Sequence, residues 1–202
     1  YKTGELADRF LASMAPPGQL SLLYFANQIY SAGNVVLNKA LAAPMVPLLA
    51  RKAFEKNWLM FRQISHSRFL WTLGICAAIL LCLFFSGPSL YSFVFGHGRF
   101  SIDEIVTLHY LLLTLAGVWV GGALGQILAS SFYAKGDTVT PTRIGIFGFT
   151  LGLGLKAVGF WLWGVLGVAA GTSLYYLLNA FLLKLFLSRK LRQRIADVPQ
   201  RT

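Results

Sequence analysis

Negative charge is nearly absent from this sequence: its 202 residues hold seven Asp and Glu against eighteen Lys and Arg. Charge of either sign is scarce, at 12% of residues, where soluble domains carry about 25%. Residues 69–96 and 157–183 carry none, and residues 105–134 carry none beyond His109. Runs of that length exclude an ordinary soluble domain. The cations lie in the gaps between the apolar runs, not on one folded face, and that excludes a nucleic-acid binder. Cysteine is limited to Cys76 and Cys82, which point to different sides of one helical run. They cannot pair and read as small core hydrophobes. His66, His97 and His109 fall in separate segments with no cysteine or carboxylate at metal-ligand spacing. No nucleophile motif is present, so neither an enzyme, a cofactor nor a metal site is expected. An initiating Met and a signal peptide are also missing. The stretch 1–15 reads as the second part of a helix, so the chain is expected to be a fragment of a larger protein.

What is abundant is apolar surface, at 56% of residues. About 20 such residues cross the hydrocarbon core of a bilayer. The expected fold is therefore all-α, a polytopic transmembrane helix bundle of about five full membrane helices plus the end of a sixth. It forms a single domain over residues 1–202. The spacing predicts a partial helix over 1–15 and helices over about 19–50, 69–95, 102–134, 142–163 and 165–187. A basic tail follows at 188–202. The short turn at Gly164-Val165 makes the last two helices an antiparallel hairpin.

The loops set an orientation. Gap 51–68 holds Arg51, Lys52, Lys56, Arg62 and Arg68, gap 135–143 holds Lys135 and Arg143, and the tail holds Arg189, Lys190, Arg192, Arg194 and Arg201. The intervening turns hold almost no cations. By the positive-inside rule the basic gaps are cytoplasmic, and attraction to anionic lipid accounts for the same charge. In the loop "AKGDTVTP", Asp137 and the threonines are expected to cap a helix, with Thr140 as N-cap and Pro141 at the first helical position.

Glycines recur at four-residue spacing: Gly117, Gly121 and Gly125, then Gly148 with Gly152, and Gly167 with Gly171. Such spacing lets helix backbones approach closely in lipid. Packing within one bundle is the expected use, ahead of a dimer face. Gly152-Leu153-Gly154 follows no strand, which rules out a nucleotide fingerprint.

One apolar segment is unusually polar. "YFANQIYSAGNVVLNKALAAPMVP", residues 24–47, carries four side-chain amides and a lysine. At helical spacing Asn27, Ser31, Asn34 and Asn38 share a face, with Gln28 and Lys39 at its edge. Polar groups in hydrocarbon need partners or water. The stripe either lines a hydrated cavity or makes interhelical hydrogen bonds that fix packing. Lys39 and Lys156 either snorkel to the two membrane surfaces or meet an anion in that cavity. Arg9 joins these candidates, and pairing with Glu5 one turn away is its alternative role.

Several stretches together resemble one family. "FYAKGDTVTPTR" at 132–143 is similar to the cytoplasmic loop of MurJ/MviN lipid II flippases, members of the MOP exporter superfamily. "DRFLAS" at 8–13, "FGHGRFS" at 95–101 and the proline-ended run into "VPLLAR" at 46–51 also look like that family. The resemblance covers nearly the whole chain and implies the end of helix seven through helix twelve of fourteen, most of the second lobe. It implies no enzyme but a bacterial inner-membrane transporter. Such a protein flips a polyprenyl-pyrophosphate-linked glycan by alternating access around a cationic cavity. Its partners would be that glycan, membrane lipids and the missing first lobe, with no nucleic acid. The substrate-binding candidates are then Asn27, Gln28, Ser31, Asn34, Asn38, Lys39, Lys156 and Arg9. This chain departs from the family at "YFANQ", where peptidoglycan flippases carry an acid–arginine pair in "YYADR". Asn27 and Gln28 hold those positions. The departure leaves open a flippase for another lipid-linked glycan, such as an exopolysaccharide or O-antigen unit. A non-transporting scaffold of cell-envelope synthesis and a small-molecule exporter are the rival readings.

Overall fold

The computed structural model describes Phe10 and residues 14–16, 18–95 and 101–196. Of the candidate residues, Arg9 lies outside them, as does the expected helix over 1–15 apart from a few of its residues. Every element found in the described residues is helical.

Helix α1, Gln19–Leu37, runs without interruption into a π-helical turn, Asn38–Ala42. The turn has a local cause. Pro44 offers no N–H, and its ring crowds the carbonyl one turn back. The amide of Ala43 reaches past the usual acceptor to the Asn38 carbonyl, 2.9 Å away. Helix α2, Met45–Phe54, follows and ends at Glu55, which accepts from Arg51 Nε at 2.9 Å and Lys52 Nζ at 2.6 Å. Helix α3, Trp58–Phe95, starts well before the expected residue 69, because Asn57 Oδ1 accepts from the Met60 amide and caps it. Arg62 and Arg68 are exposed on this early part, where their charge does not oppose helix formation. Gly87, at φ 58°, breaks α3.

Helix α4, Ile102–Thr114, opens with a capping box in which Ser101 and Glu104 satisfy each other's backbone amides. Asp103 and Glu104 thus stand where the helix dipole favours anions. Leu115 separates α4 from α5, Ala116–Ala134. The Val118 amide bonds to Leu115, and the Thr114 carbonyl receives the Ser173 hydroxyl instead. Helix α6 is assigned over Val139–Ala196 but reverses at Trp163 and Gly164. Gly164 stands at φ 58°, a left-handed conformation that glycine adopts without the Cβ penalty. Gly159 packs on Gly167, Leu155 on Gly171, and Gly152 on Tyr175. That pairing runs backwards along the chain, so the arms 139–162 and 165–196 form the antiparallel hairpin.

Gln19–Phe54, Trp58–Gly87, Ile102–Ala134 and Val139–Ala196 are long and apolar enough to cross a membrane, and the last does so as a hairpin. Helix α5 is the centre of the bundle, packed against α1, α2, α3 and both arms of α6. Its glycines permit that role. A Cβ on Gly117 would press on Ser173, and one on Gly121 on the Tyr176 backbone, whereas Gly125 faces open space. The glycine spacing therefore serves packing within the bundle at five of the seven positions singled out from sequence, and at Gly148 beside Tyr175 as a sixth. Two buried clusters divide the interior. Leu22, Tyr30, Leu108, Leu112, Trp119 and Val168 pack near the turns at Gly18, Ser101 and Gly164. Met45, Phe61, Phe132, Ile144, Leu187 and Leu191 pack at the opposite end. The basic gaps all lie at that second end. Outside the core, large apolar side chains such as Trp71, Phe85 and Trp161 are exposed, as a lipid-facing surface requires.

Candidate functional site

The polar residues of α1 form a band that starts at the packed edge of the helix and ends on its uncovered side. Leu22, Leu23, Ala26 and Tyr30 define the buried face. The Tyr30 hydroxyl donates to the Leu112 carbonyl at 2.7 Å and ties α1 to α4. Beside this face come the three asparagines, all half-buried. Asn27 Nδ2 donates to the carbonyl of Leu23 in its own helix at 3.1 Å. Asn34 packs its amide against Gly122 of α5, and its Oδ1 is buried with no hydrogen-bond partner. Asn38 opens the π-helical turn and supplies its carbonyl to Ala43. Further round the helix, Gln28, Ser31 and Lys39 are exposed. Gln28 Nε2 donates to the Tyr24 hydroxyl at 2.8 Å. Lys39 stands within the π-helical turn, the kind of local distortion that recurs at functional sites.

Lys156 stands on a different helix, α6. It is 7% exposed and lies on the arm of α6 whose glycines pack against the second arm. It does not extend to open surface, so the structure disfavours snorkelling for this lysine. The edge of the α1 band is thus uncovered, whereas Lys156 is packed.

Two further features escaped the sequence reading. Trp119 on α5 fills the space that a side chain on Gly33 would need, and its indole Nε1 is buried without a partner. Asn179 Oδ1 is likewise buried and unpartnered. With Asn34 Oδ1, the Tyr91 hydroxyl and His109 Nδ1, these make five buried polar atoms without a hydrogen-bond partner among the described residues. The Gly33–Trp119 fit carries no periodic signal, since the two residues meet only in the folded bundle.

The second feature is a cavity of about 560 Å³ at the basic end, lined by Trp58, Lys135, Gly136, Asp137, Lys190, Gln193 and Arg194. Asp137 organises it. Its Oδ1 accepts from the Thr140 amide at 3.1 Å, and its Oδ2 accepts from the Thr140 hydroxyl at 2.9 Å and from Lys190 Nζ at 2.7 Å. Asp137 therefore caps α6, and the helix begins at Val139. This corrects the expectation of Thr140 as N-cap with Pro141 first, because Thr140 already lies inside the first turn. Burial works against the Asp137 carboxylate, but the hydrogen bonds from Lys190 and Thr140 outweigh it and bring its pKa to about 2. Burial pushes the neighbouring Lys135 ammonium down to about 8, against the pull of Asp137 and with added repulsion from Lys190 and Arg194. Lys135 Nζ lies 4.5 Å from the centre of the Phe132 ring, and the Arg194 guanidinium lies 5.5 Å from that of Trp58. The basic charges expected to mark topology and to attract anionic lipid thus also line one cavity.

Comparison with known proteins bears on the whole fold. The family model described as "Lipid II flippase MurJ" matches residues 3–199. The chain is 29% identical over 180 residues to the probable lipid II flippase MurJ of Vibrio cholerae, covering 88% of this chain and 34% of that protein. It is 28% identical over 188 residues to the probable lipid II flippase MurJ of Haemophilus influenzae, covering 88% of this chain and 36% of that protein. Among solved structures it is similar to a lipid II flippase MurJ in an inward closed conformation, with a TM-score of 0.74 and 16% identity. That match covers 95% of this chain and 41% of the other, and at such identity it shows the fold alone. The chain thus spans about a third of the length of the curated relatives it matches.

Proposed function

Because the chain belongs to the MurJ lipid II flippase family, we propose that it forms part of a transporter that carries a polyprenyl-pyrophosphate-linked cell-wall precursor across the bacterial inner membrane. Transport runs from the inner to the outer leaflet by alternating access. The basic loop ends face the cytoplasm, as the clustering of cations at one end of the bundle supports. The remaining length of the relatives supplies the other lobe.

The observation that carries this reading is the uncovered edge of the α1 band. Gln28, Ser31 and Lys39 are exposed within a stretch long and apolar enough to span the membrane. A cation and an amide facing lipid tails would be costly, so this edge faces water or a second lobe. A stripe wholly covered by neighbouring helices would have favoured a scaffold role. In this reading the amides bond the glycan, and Lys39 meets the pyrophosphate as a compact, rotatable cation. Asn27 and Gln28, standing where the family has an acid–arginine pair, favour a second reading, in which the lipid-linked glycan is not a peptidoglycan unit.

Complementation of flippase-depleted cells by the full-length protein tests both, with membrane levels of each variant checked by blot. Lys39→Ala is expected to lose function at parental protein level, and Lys39→Arg to retain part of it. Growth of Lys39→Ala equal to the parent sinks the pyrophosphate role. A parent that fails to replace the peptidoglycan flippase but restores export of another glycan selects the second reading.

A further inference from the structure

At the basic end, three cations from two separate elements converge on one cavity that holds a single carboxylate. Lys135 comes from the end of α5, and Lys190 and Arg194 come from the end of α6. The carboxylate is fully engaged, since both Asp137 oxygens accept hydrogen bonds from Thr140 or Lys190. That leaves Lys135 and Arg194 without an ion-pair contact among the described residues, and each rests on an aromatic face. Holding like charges together in a partly buried place costs free energy unless an anion enters. Trp58, the first residue of α3, forms one wall. Basic pockets between helices on the cytoplasmic side suit anionic head groups.

We propose that the cavity bounded by Trp58, Lys135, Lys190 and Arg194 binds a phosphate ester, supplied by the head group of an anionic phospholipid. The phosphate oxygens take the Lys135 ammonium and the Arg194 guanidinium. Lys190 stays on Asp137 and holds the loop in place. The site is separate from the α1 band, so its test does not depend on the transport reading.

The test uses the full-length protein in detergent micelles, with unfolding midpoints measured in the presence of phosphatidylglycerol, phosphatidylcholine or soluble glycerol 1-phosphate. Phosphatidylglycerol is expected to raise the parental midpoint while phosphatidylcholine does not. Lys135→Gln combined with Arg194→Gln should remove at least half of that rise. Arg143→Gln, an exposed cation outside the cavity, should keep it. If glycerol 1-phosphate alone gives the same rise, lost in the same variant, the ligand is a soluble phosphate ester and not a lipid. A second readout needs no variant. The pH midpoint of Lys135 acetylation, near 8 in phosphatidylcholine, should move up by about one pH unit or more in phosphatidylglycerol. An undiminished rise in the double variant, or an unmoved Lys135 midpoint, overturns the proposal.

Discussion

Gly159 and Gly167 face each other across the hairpin of α6 so closely that a methyl on either would overlap the other's carbonyl. No side-chain movement relieves such a clash, because both partners are backbone. Gly167→Ala is therefore expected to destabilise the protein by about 1–3 kcal/mol, the range for overpacking. Gly125→Ala, in open space, should change stability by less than about 0.5 kcal/mol. Thermal unfolding of the two variants in one detergent checks the contrast, and equal midpoints would show that the arms do not pack this way.

Asp137 should matter more than Thr140. Asp137→Ala removes the α6 cap and the Lys190 pair, with an expected loss of about 1–2 kcal/mol. Thr140→Ala keeps its amide on Asp137 and should lose only about 0.5–1 kcal/mol. The pH sign follows from the folded pKa of about 2, below the unfolded value of about 3.9. The contribution is complete above that unfolded value and is lost as pH falls toward about 2. Asp137→Ala should flatten that part of the stability profile. A variant profile parallel to the parent's would contradict the assignment.

Lys135 has the opposite sign. Its folded pKa of about 8 lies below the ordinary lysine value of about 10.4, so its charge disfavours the fold. The penalty is complete below about pH 8 and fades as pH rises toward 10.4. Without an anionic ligand, Lys135→Gln should therefore raise the unfolding midpoint at pH 7, and the gain should vanish at high pH. A variant less stable than the parent at pH 7 would count against this.

Orientation can be read chemically. With Cys76→Ala and Cys82→Ser as background, Lys56→Cys and Ile102→Cys place single thiols at exposed positions at opposite ends of the bundle. In intact cells an impermeant thiol reagent should label the Ile102 site and spare the Lys56 site. The reverse pattern would turn the topology over.

Lys184 should be dispensable for transport. Its Nζ lies 3.7 Å from the centre of the Phe69 ring, a cation–π contact worth about 0.5–1 kcal/mol. Lys184→Ala should complement like the parent with slightly reduced stability. Loss of complementation at equal protein level would make it part of the transport path.

The sequence by itself determined the class of fold, because partitioning into a bilayer is a residue-by-residue property. Charge-free runs mark the helices, and cations mark one end, whatever the neighbours are. The hairpin at Gly164 was legible for a similar local reason, since a short uncharged turn between two apolar runs leaves the chain one way to go. The start of α3 was not, because Arg62 and Arg68 masked a helix that Asn57 caps. Nor was the division of the α1 band. Asn34 is drawn to the packed side because Gly122 leaves room for its amide, and Trp119 enters the space beside Gly33. Lys39 is left uncovered on a turn that Pro44 forces open. The basic cavity needs the ends of α3, α5 and α6 together, and residues far apart in the chain meet there only once the helices have packed. Tertiary structure decides these contacts because each depends on the shape of a partner surface, which no local pattern encodes.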